Sequence, residues 1–213
     1  TGHEGVGLRF DSYVNSSGYT NMLKTPVFDL SAITGAKLEF WYKNPAGGDF
    51  SVYVSTDGGT TYTSNVVATG LTGVSAWRKF TYDLDSYCGN GFDNVVVVFK
   101  GTSNYGDDDA YIYLDDVSIR EISSAAEITA FSFAQDVQAA VIRSEAASVN
   151  STVSFSTANL NGLVPTIAVS EYATISPASG VARDFSSRVT YTVTAEDGTT
   201  KDWTVIVTKE TVA

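Results

Sequence analysis

The sequence has very little of the residues that build disulfides, zinc sites and catalytic triads. Among its 213 residues there is one cysteine, Cys88, and one histidine, His3. A single cysteine excludes an internal disulfide and any zinc site made of several cysteines. A single histidine argues against a Ser-His-Asp triad and a histidine-rich metal centre. Because no activating group stands beside Cys88 in the sequence, we interpret it as a structural residue.

Basic residues are scarce as well. Thirteen Lys and Arg stand against 24 Asp and Glu, which gives a net charge of −11. Phosphates and anionic lipid headgroups are bound through basic groups, so neither nucleic acid nor an anionic membrane surface is an expected partner. No apolar run approaches the ~20 residues of a membrane-spanning helix, so membrane insertion is not expected either.

Short runs of alternating apolar and polar residues, separated by Gly- and Asn-rich turns, fill the chain instead. Such alternation is typical of β-strands. Residues 95–99 are apolar on both faces, which indicates a central strand that is covered on both sides. The candidate strands are residues 38–42, 50–55, 78–84 and 95–99 in the first half, and residues 128–133, 139–142, 153–155, 167–169, 188–195 and 202–208 in the second.

The two halves differ in composition, which predicts two all-β domains. Ten of the 12 tyrosines precede residue 121, and the chain turns rich in Ala, Ser, Thr and Val from Ser123. We therefore predict one domain at residues 1–121 and another at residues 127–213, with a short polar linker between them. Short strands with tight turns predict a sandwich or jelly roll for the first domain. About seven strands predict an immunoglobulin-like sandwich for the second.

An acidic segment at residues 107–116 is the first candidate site, since five carboxylates fall within ten positions. Unneutralised carboxylates repel one another, and a hard cation with oxygen ligands removes that repulsion, so calcium is the expected ion. The alternative is a solvated acidic loop that ends in a simple strand. The predicted calcium ligands are Asp115 and Asp116, together with Asp11, Asp107 and Asp109.

The alternation of the last strand in this half also changes at the acidic pair. Ile112 and Leu114 share one parity, whereas Val117 and Ile119 have the other. If all four side chains are buried, the backbone slips by one residue at Asp115 and Asp116. This pattern predicts a β-bulge, a feature that redirects side chains close to sites.

Outward-facing aromatic rings form the second candidate site. By parity, four rings lie opposite the core-facing residues of their strands, and a cluster of such rings offers a platform for sugar C–H surfaces. The alternative is that they fill the second side of a covered sheet, where tyrosine buries area and keeps its hydroxyl wet. The predicted ligand-binding residues are Trp41, Tyr53, Tyr111 and Tyr113.

Residues 55–62 (STDGGTTY) resemble the Asp-box of sialidase propellers. A single copy in a chain too short for a propeller predicts a structural hairpin. Asp57 would accept backbone N–H groups across the turn, and Gly58 and Gly59 would take positive φ.

Residues 2–120 as a whole resemble the MAM domain and the related cleaved-adhesin modules of bacterial surface proteins. The similarity runs through GLRFD at 7–11, LKTP at 23–26, LEFWY at 38–42, FSVYVSTDGG at 50–59, WRKF at 77–80, VVVF at 96–99 and YLDDVSI at 113–119. It implies a jelly-roll sandwich of the galactose-binding or concanavalin-like kind, often with a structural cation at the Asp-Asp segment. The family's opening strand precedes its GLRFD segment, so we expect the domain to lack that first strand. Animal MAM domains have paired cysteines, so the single Cys88 favours the bacterial relatives.

Residues 127–209 resemble cadherin-like or immunoglobulin-like modules at the ends of bacterial secreted proteins. The resemblance rests on VTYTVTAEDG at 189–198 and KDWTV at 201–205. This widespread pattern implies a spacer more than a binding site.

These observations leave three functions open. The first is a non-catalytic, secreted or surface-displayed bacterial protein that recognises carbohydrate or extracellular protein and holds a structural calcium ion. The second is a purely structural spacer or anchor. The third is a fragment of a glycan hydrolase, which needs only two carboxylates. No catalytic residue is predicted, because the acids concentrate in one loop and at turns.

Overall fold

The all-β class predicted from the sequence is confirmed. The computed structural model describes residues 3, 5, 7–11, 18–45, 48–102 and 111–211, with the backbone alone at Asp11. These residues contain 15 strands and a single turn of 3-10 helix at Asp85–Tyr87. The chain divides into two compact units, Thr1–Ile122 (unit 1) and Ser123–Ala213 (unit 2). In the described part of the chain, no helix is long and apolar enough to cross a membrane.

Unit 1 consists of two facing sheets. Their strands are β1 (Leu8–Asp11), β2 (Thr20–Lys24), β3 (Ala36–Asn44), β4 (Phe50–Ser55), β5 (Val66–Ala68), β6 (Val74–Asp83), β7 (Val96–Thr102) and β8 (Tyr111–Glu121). Sheet 1 has the order β1-β8-β3-β6, and sheet 2 has the order β2-β7-β4-β5. The antiparallel pairs are nested, so that β1 pairs with β8, β2 with β7, β3 with β6 and β4 with β5. Eight strands in two such sheets form a β-sandwich, and the jelly-roll assignment stays a prediction. The predicted loss of an opening strand stays a prediction.

The core of unit 1 lies between the two sheets because their strands alternate. In β3 every second side chain is buried, and Phe40 is fully enclosed. Phe99 from sheet 2 meets Phe40 edge to face, with ring centroids 5.2 Å apart. Complete burial of an aromatic or aliphatic side chain of this size contributes roughly 1.5–3 kcal/mol each. Because alternate side chains of each strand point into this core, the side chains between them point to the outer face of the same sheet.

The strand predicted to be covered on both sides is β7. It lies between β2 and β4 in sheet 2. Val97 and Phe99 face the core between the sheets, and Val96 and Val98, which have the opposite parity, are also buried. The prediction of a central strand is therefore confirmed, and it implies that side chains cover the outer face of sheet 2.

Unit 2 contains the remaining seven strands. They are β9 (Ile128–Ser132), β10 (Val141–Arg143), β11 (Ser148–Val153), β12 (Thr166–Val169), β13 (Thr174–Ser176), β14 (Val189–Thr194) and β15 (Thr200–Lys209). One sheet has the order β10-β11-β15-β14-β13, and β12 pairs with β9. Trp203, Tyr191 and Phe185 fill the centre, and the indole N–H of Trp203 donates to the carbonyl oxygen of Ala126 at 3.0 Å. The immunoglobulin-like assignment stays a prediction.

One strand of unit 2 lies earlier than predicted. The sequence indicated a strand at residues 153–155, whereas β11 ends at Val153 and Phe155 is exposed. The inward row of β11 includes a polar residue, Ser151, which is buried and donates to Asp136 Oδ1 at 2.5 Å. Because this buried position is polar, residues 148–153 do not show the apolar alternation that is typical of a strand, and the strand was not predicted there.

Candidate ligand-binding face

A β-bulge in β8 organises the outer face of sheet 1. Trp41 of β3 is paired with Asp115, but Glu39, two residues earlier, is paired with Ser118. The residue between them therefore faces two residues of β8. Asp116 lies in this bulge with a φ of +49°, a conformation that aspartate tolerates better than most residues.

The parity slip predicted at Asp115 and Asp116 is confirmed by this geometry. Before the bulge, Ile112 and Leu114 are buried, and after it Val117 packs against the same core. The extra residue keeps both halves of β8 in contact with the core. It also leaves Tyr111, Tyr113 and the two aspartates on the opposite, outer side.

Four rings lie on this outer face and form what we call the aromatic strip: Trp41, Trp77, Tyr111 and Tyr113. The ring centroids of Tyr111 and Tyr113 are 6.2 Å apart, and those of Tyr113 and Trp77 are also 6.2 Å apart. All four side chains are partly exposed. The strip therefore offers aromatic faces and edges to solvent on one side of a rigid sheet.

His3 connects the two tryptophans of the strip. Its imidazole is stacked on Trp41 with ring centroids 3.8 Å apart, and it meets Trp77 edge to face at 6.0 Å. Its backbone N–H donates to Asp115 Oδ2 at 2.7 Å, and its Nδ1 lies 3.1 Å from Asp116 Oδ2. The sequence indicated no role for this histidine, because it lies more than one hundred residues from the aspartates.

Two cations flank the tyrosines of the strip. The guanidinium carbon of Arg9 lies 4.5 Å from the ring centroid of Tyr111. The ammonium nitrogen of Lys43 lies 5.4 Å from that of Tyr113. Arg9 and Lys43 are both direct cross-strand partners of Tyr113, one on each side of β8. This part of the face thus combines aromatic surface with positive charge.

Tyr53 does not belong to the strip, so the predicted face of four rings is wrong in this respect. Tyr53 lies on β4 in sheet 2, paired with Val98, and contacts Tyr62 with ring centroids 5.6 Å apart. Tyr53 therefore lies on the covered outer side of sheet 2, beside β7. This is the alternative that the sequence left open for these rings, namely that they fill the second side of a covered sheet. The alternation along a strand shows on which side of its sheet a side chain lies, but it does not show which sheet the strand joins.

Trp77 is the ring that replaces Tyr53 in the strip. The predicted strand began at Arg78, four residues after the start of β6 at Val74 and one residue after Trp77. Phe80 and Tyr82 pack against the core, and extension of their alternation three residues back from Phe80 places Trp77 on the outer side. The signal was present in the sequence, but it lay beyond the predicted start of the strand.

The predicted calcium ligands do not come together among the described residues. Asp107 and Asp109 lie outside the described residues. Asp11 pairs with Tyr111, four positions along β8 from Asp115, which is about 13 Å at the usual rise of a strand. Within the described ranges, no group of three or more His, Cys, Asp or Glu side chains is arranged to hold a metal ion. The calcium site stays a prediction.

The Asp-box hairpin is confirmed as a structural turn. Asp57 accepts the backbone N–H of Thr60 at 3.0 Å and that of Thr61 at 2.9 Å, and the hydroxyl of Ser55 donates to it at 2.6 Å. Gly58 and Gly59 have φ values of +71° and +88°. The hydrogen bond from Ser55, followed by those from Thr61, holds the pKa of the Asp57 carboxyl well below its usual range.

Among the described residues, three carboxyl groups have a clearly shifted pKa, and each of the three is lowered. Hydrogen bonds from Ser31 lower the pKa of Asp29, and the backbone N–H and hydroxyl of Ser186 lower that of Asp184. Asp57 behaves in the same way. A general acid in a glycosidase needs the opposite shift, which burial in an apolar pocket provides.

In the comparison with known proteins, one family model matches part of unit 2. Residues 128–207 match the family model described as SGBP, N-terminal. The sequence predicted a spacer of immunoglobulin or cadherin type in this region. Among curated proteins, none matches the chain significantly.

Solved structures similar to parts of the chain include two cleaved adhesin domains of Lys-gingipain from Porphyromonas gingivalis. The K3 domain has 25% identity over 54% of this chain and 72% of that domain, with a TM-score of 0.38. The K1 domain has 24% identity over 55% of this chain and 75% of that domain, with a TM-score of 0.39.

A third similar structure is a protein from Bacteroides thetaiotaomicron that is proposed to be a glycoside hydrolase. It has 36% identity over 44% of this chain, with a TM-score of 0.38. The matched region covers 28% of that protein's length. With TM-scores this low, none of these three similarities assigns a function.

Proposed function

We propose that this chain is a non-catalytic carbohydrate-binding protein that acts outside the cell, secreted or displayed on a surface, and that the aromatic strip is its binding face. The observation that carries the proposal is the continuous series of partly exposed rings on one side of sheet 1. The match of residues 128–207 to the SGBP N-terminal family model supports a glycan-binding role for the chain as a whole, although those residues lie in unit 2 and the aromatic strip lies in unit 1.

The physical basis is the complementarity of aromatic rings and sugars. The face of an aromatic ring carries the negative part of its quadrupole, and the C–H groups on one side of a sugar ring are weakly positive. Trp77 and Tyr113 already support each other, so little side-chain freedom is lost when a ligand binds. Rings that are held in place reduce the entropic cost of binding.

Unit 2 has a structural role in this proposal. Trp203 and Tyr191 are fully buried in its core, whereas Tyr172 is about half exposed. We propose that it carries unit 1 as a spacer, in agreement with the resemblance of residues 127–209 to spacer modules.

The test is a glycan array probed with the intact chain and with two matched variants. Trp41→Ala combined with Trp77→Ala removes the indole rings of the strip, and Tyr53→Ala removes a ring from the outer side of sheet 2. Array binding of the native chain is expected to fall at least about tenfold in the double variant, which corresponds to about 1.4 kcal/mol. The Tyr53 variant is expected to keep it.

Two outcomes would overturn the proposal. One is that the native chain binds no glycan on a broad array. The other is undiminished binding by the double variant, with circular dichroism and a cooperative thermal transition to show that the variant is folded.

A further inference from the structure

We infer that the binding face selects acidic glycans and that the ammonium group of Lys43 recognises their negative charge. This inference rests on the proposed function and adds the chemical class of the ligand. It follows from the distribution of cations over the two sheets of unit 1, from the pairing of those cations and from their position beside the tyrosines.

Positive charge is concentrated on one side of unit 1. Of its eight basic residues, five lie on the outer face of sheet 1 with the aromatic strip. The alternation of β3 places two of them there, ion pairs with Glu39 place two more, and a ring contact with Tyr111 places the fifth. These five are Arg9, Lys37, Lys43, Lys79 and Arg120. The same face carries the carboxylates of Glu39, Asp83, Asp115 and Asp116, so a place for an anionic partner depends on which cations those carboxylates leave unpaired.

Lys37, Lys79 and Arg120 contact carboxylates of the same face. Lys79 Nζ lies 3.0 Å from Glu39 Oε2, and Arg120 lies 3.9 Å from the other oxygen of Glu39. Lys37 Nζ lies 3.4 Å from Asp83 Oδ1. These three cations and two carboxylates occupy the half of the face that lies away from Tyr113.

Lys43 is different because its contact in the described structure is a ring. Its ammonium group lies 5.4 Å from the Tyr113 centroid, and with the described residues it forms no ion pair. A cation–π contact at an exposed site is weaker than a charge-assisted hydrogen bond. The N–H donors of Lys43 are therefore available to an anion that reaches the edge of Tyr113.

Arg9 completes the geometry from the other side. Tyr113 lies between Arg9 and Lys43 across three adjacent strands, and neighbouring strands are about 4.8 Å apart. A sugar ring stacked on Tyr113 would carry its carboxylate or sulfate toward the ammonium group of Lys43. At physiological ionic strength, charges beyond about 8 Å are largely screened, so the local charges decide. Of the local carboxylates, that of Asp115, two residues along β8 from Tyr113, already accepts the backbone N–H of His3.

The test compares the native chain, Lys43→Gln and Lys43→Arg on an array that holds neutral, carboxylated and sulfated glycans. Lys100→Gln is the matched control, because Lys100 lies on β7 of sheet 2 and its replacement removes the same charge. We expect the native chain to prefer acidic glycans, with the carboxylated and sulfated members showing which anion is recognised. Affinity for the acidic glycan with the strongest array signal is then measured by calorimetry.

Lys43→Gln is expected to weaken this affinity about tenfold, whereas Lys43→Arg and Lys100→Gln keep it within a factor of about three. Preference for neutral glycans, or equal affinities of the native chain and Lys43→Gln, would overturn the inference and leave the proposed function intact. An array with no binding of any glycan would instead overturn the proposed function, and this inference with it.

Discussion

The imidazole of His3 lies almost parallel to the indole of Trp41, with an interplanar angle of 11° and ring centroids 3.8 Å apart. The histidine thus occupies one face of a ring that we propose for ligand binding. Its hydrogen bond to Asp115 and its contact with Asp116 hold it there. A ligand that stacks on the same face of Trp41 has to displace it.

His3→Ala is therefore expected to expose Trp41. Acrylamide should quench tryptophan fluorescence more strongly in this variant, and glycan affinity should rise. His3→Phe is the control, because a phenyl ring retains the stacking and loses only the contact with Asp116. Trp203 is fully buried in unit 2 and contributes a constant background. Equal quenching of His3→Ala and the native chain would contradict the interpretation that His3 covers Trp41.

The bulge at Asp116 predicts a difference between two substitutions that both remove its carboxylate. Its φ of +49° suits glycine and strains a β-branched residue. Asp116→Val should cost about 1–2 kcal/mol more than Asp116→Gly. Chemical denaturation of the two variants measures the difference. Equal stability would mean that β8 relaxes its register without the bulge.

The Asp57 hairpin predicts a pH dependence of the stability of unit 1. The pKa of Asp57 is lowered from its ordinary value of 3.8 by hydrogen bonds from Ser55 and Thr61. A carboxyl with a lower pKa in the folded state contributes stability above its ordinary pKa, and that contribution is lost as the pH falls toward the folded value.

Asp57→Asn should consequently lower the Tm of unit 1 at pH 7, and the difference from the native chain should narrow below pH 4. Differential scanning calorimetry between pH 2 and pH 7 measures this. Asp184→Asn is the control, because Asp184 lies in unit 2 and its pKa is also lowered. A difference in Tm that is constant with pH would contradict the assignment to the Asp57 charge.

Cys88 is expected to react slowly with alkylating reagents. Burial raises the pKa of its thiol, and the carboxylate of Asp85 adds to the effect. The thiol also donates to the carbonyl oxygen of Leu84 at 3.4 Å. Less thiolate is then present at pH 8 than in an unstructured peptide. Mass spectrometry of iodoacetamide adducts tests this, and alkylation as fast as that of an unstructured cysteine peptide would contradict it.

The predicted calcium site is tested by removing the ion. A cation bound to the acidic segment should stabilise unit 1 by about 2.7 kcal/mol at a hundredfold excess over its Kd. Addition of EGTA should therefore lower the Tm of unit 1, with magnesium as the control ion. An unchanged Tm together with no heat of calcium binding in calorimetry would contradict the prediction.

Much of the local structure could be predicted from the sequence. Alternation located β4 at residues 50–55, and the parity change located the bulge at Asp115 and Asp116. The Asp-box pattern predicted the turn around Asp57. Each of these features depends on residues close together in the chain, whose side-chain types and backbone preferences specify the conformation.

The membership of the candidate face was predicted only in part. Trp41, Tyr111 and Tyr113 were assigned to it correctly, because parity gives the outer side of β3 and β8. Tyr53 was assigned wrongly, because its strand joins the other sheet. Trp77 was left out because the predicted start of its strand, Arg78, lies four residues after the observed start at Val74.

The sequence by itself determined that this chain forms β-strands, that β8 has a bulge and which side chains of each strand point outward. These properties depend on a period of two along each strand and on local turn chemistry. The tertiary structure alone decided which strands are neighbours, and with that the stacking of His3 on Trp41 and the position of Tyr113 between Arg9 and Lys43. These contacts join residues far apart in the chain, and their geometry is fixed by the packing of two sheets around one core.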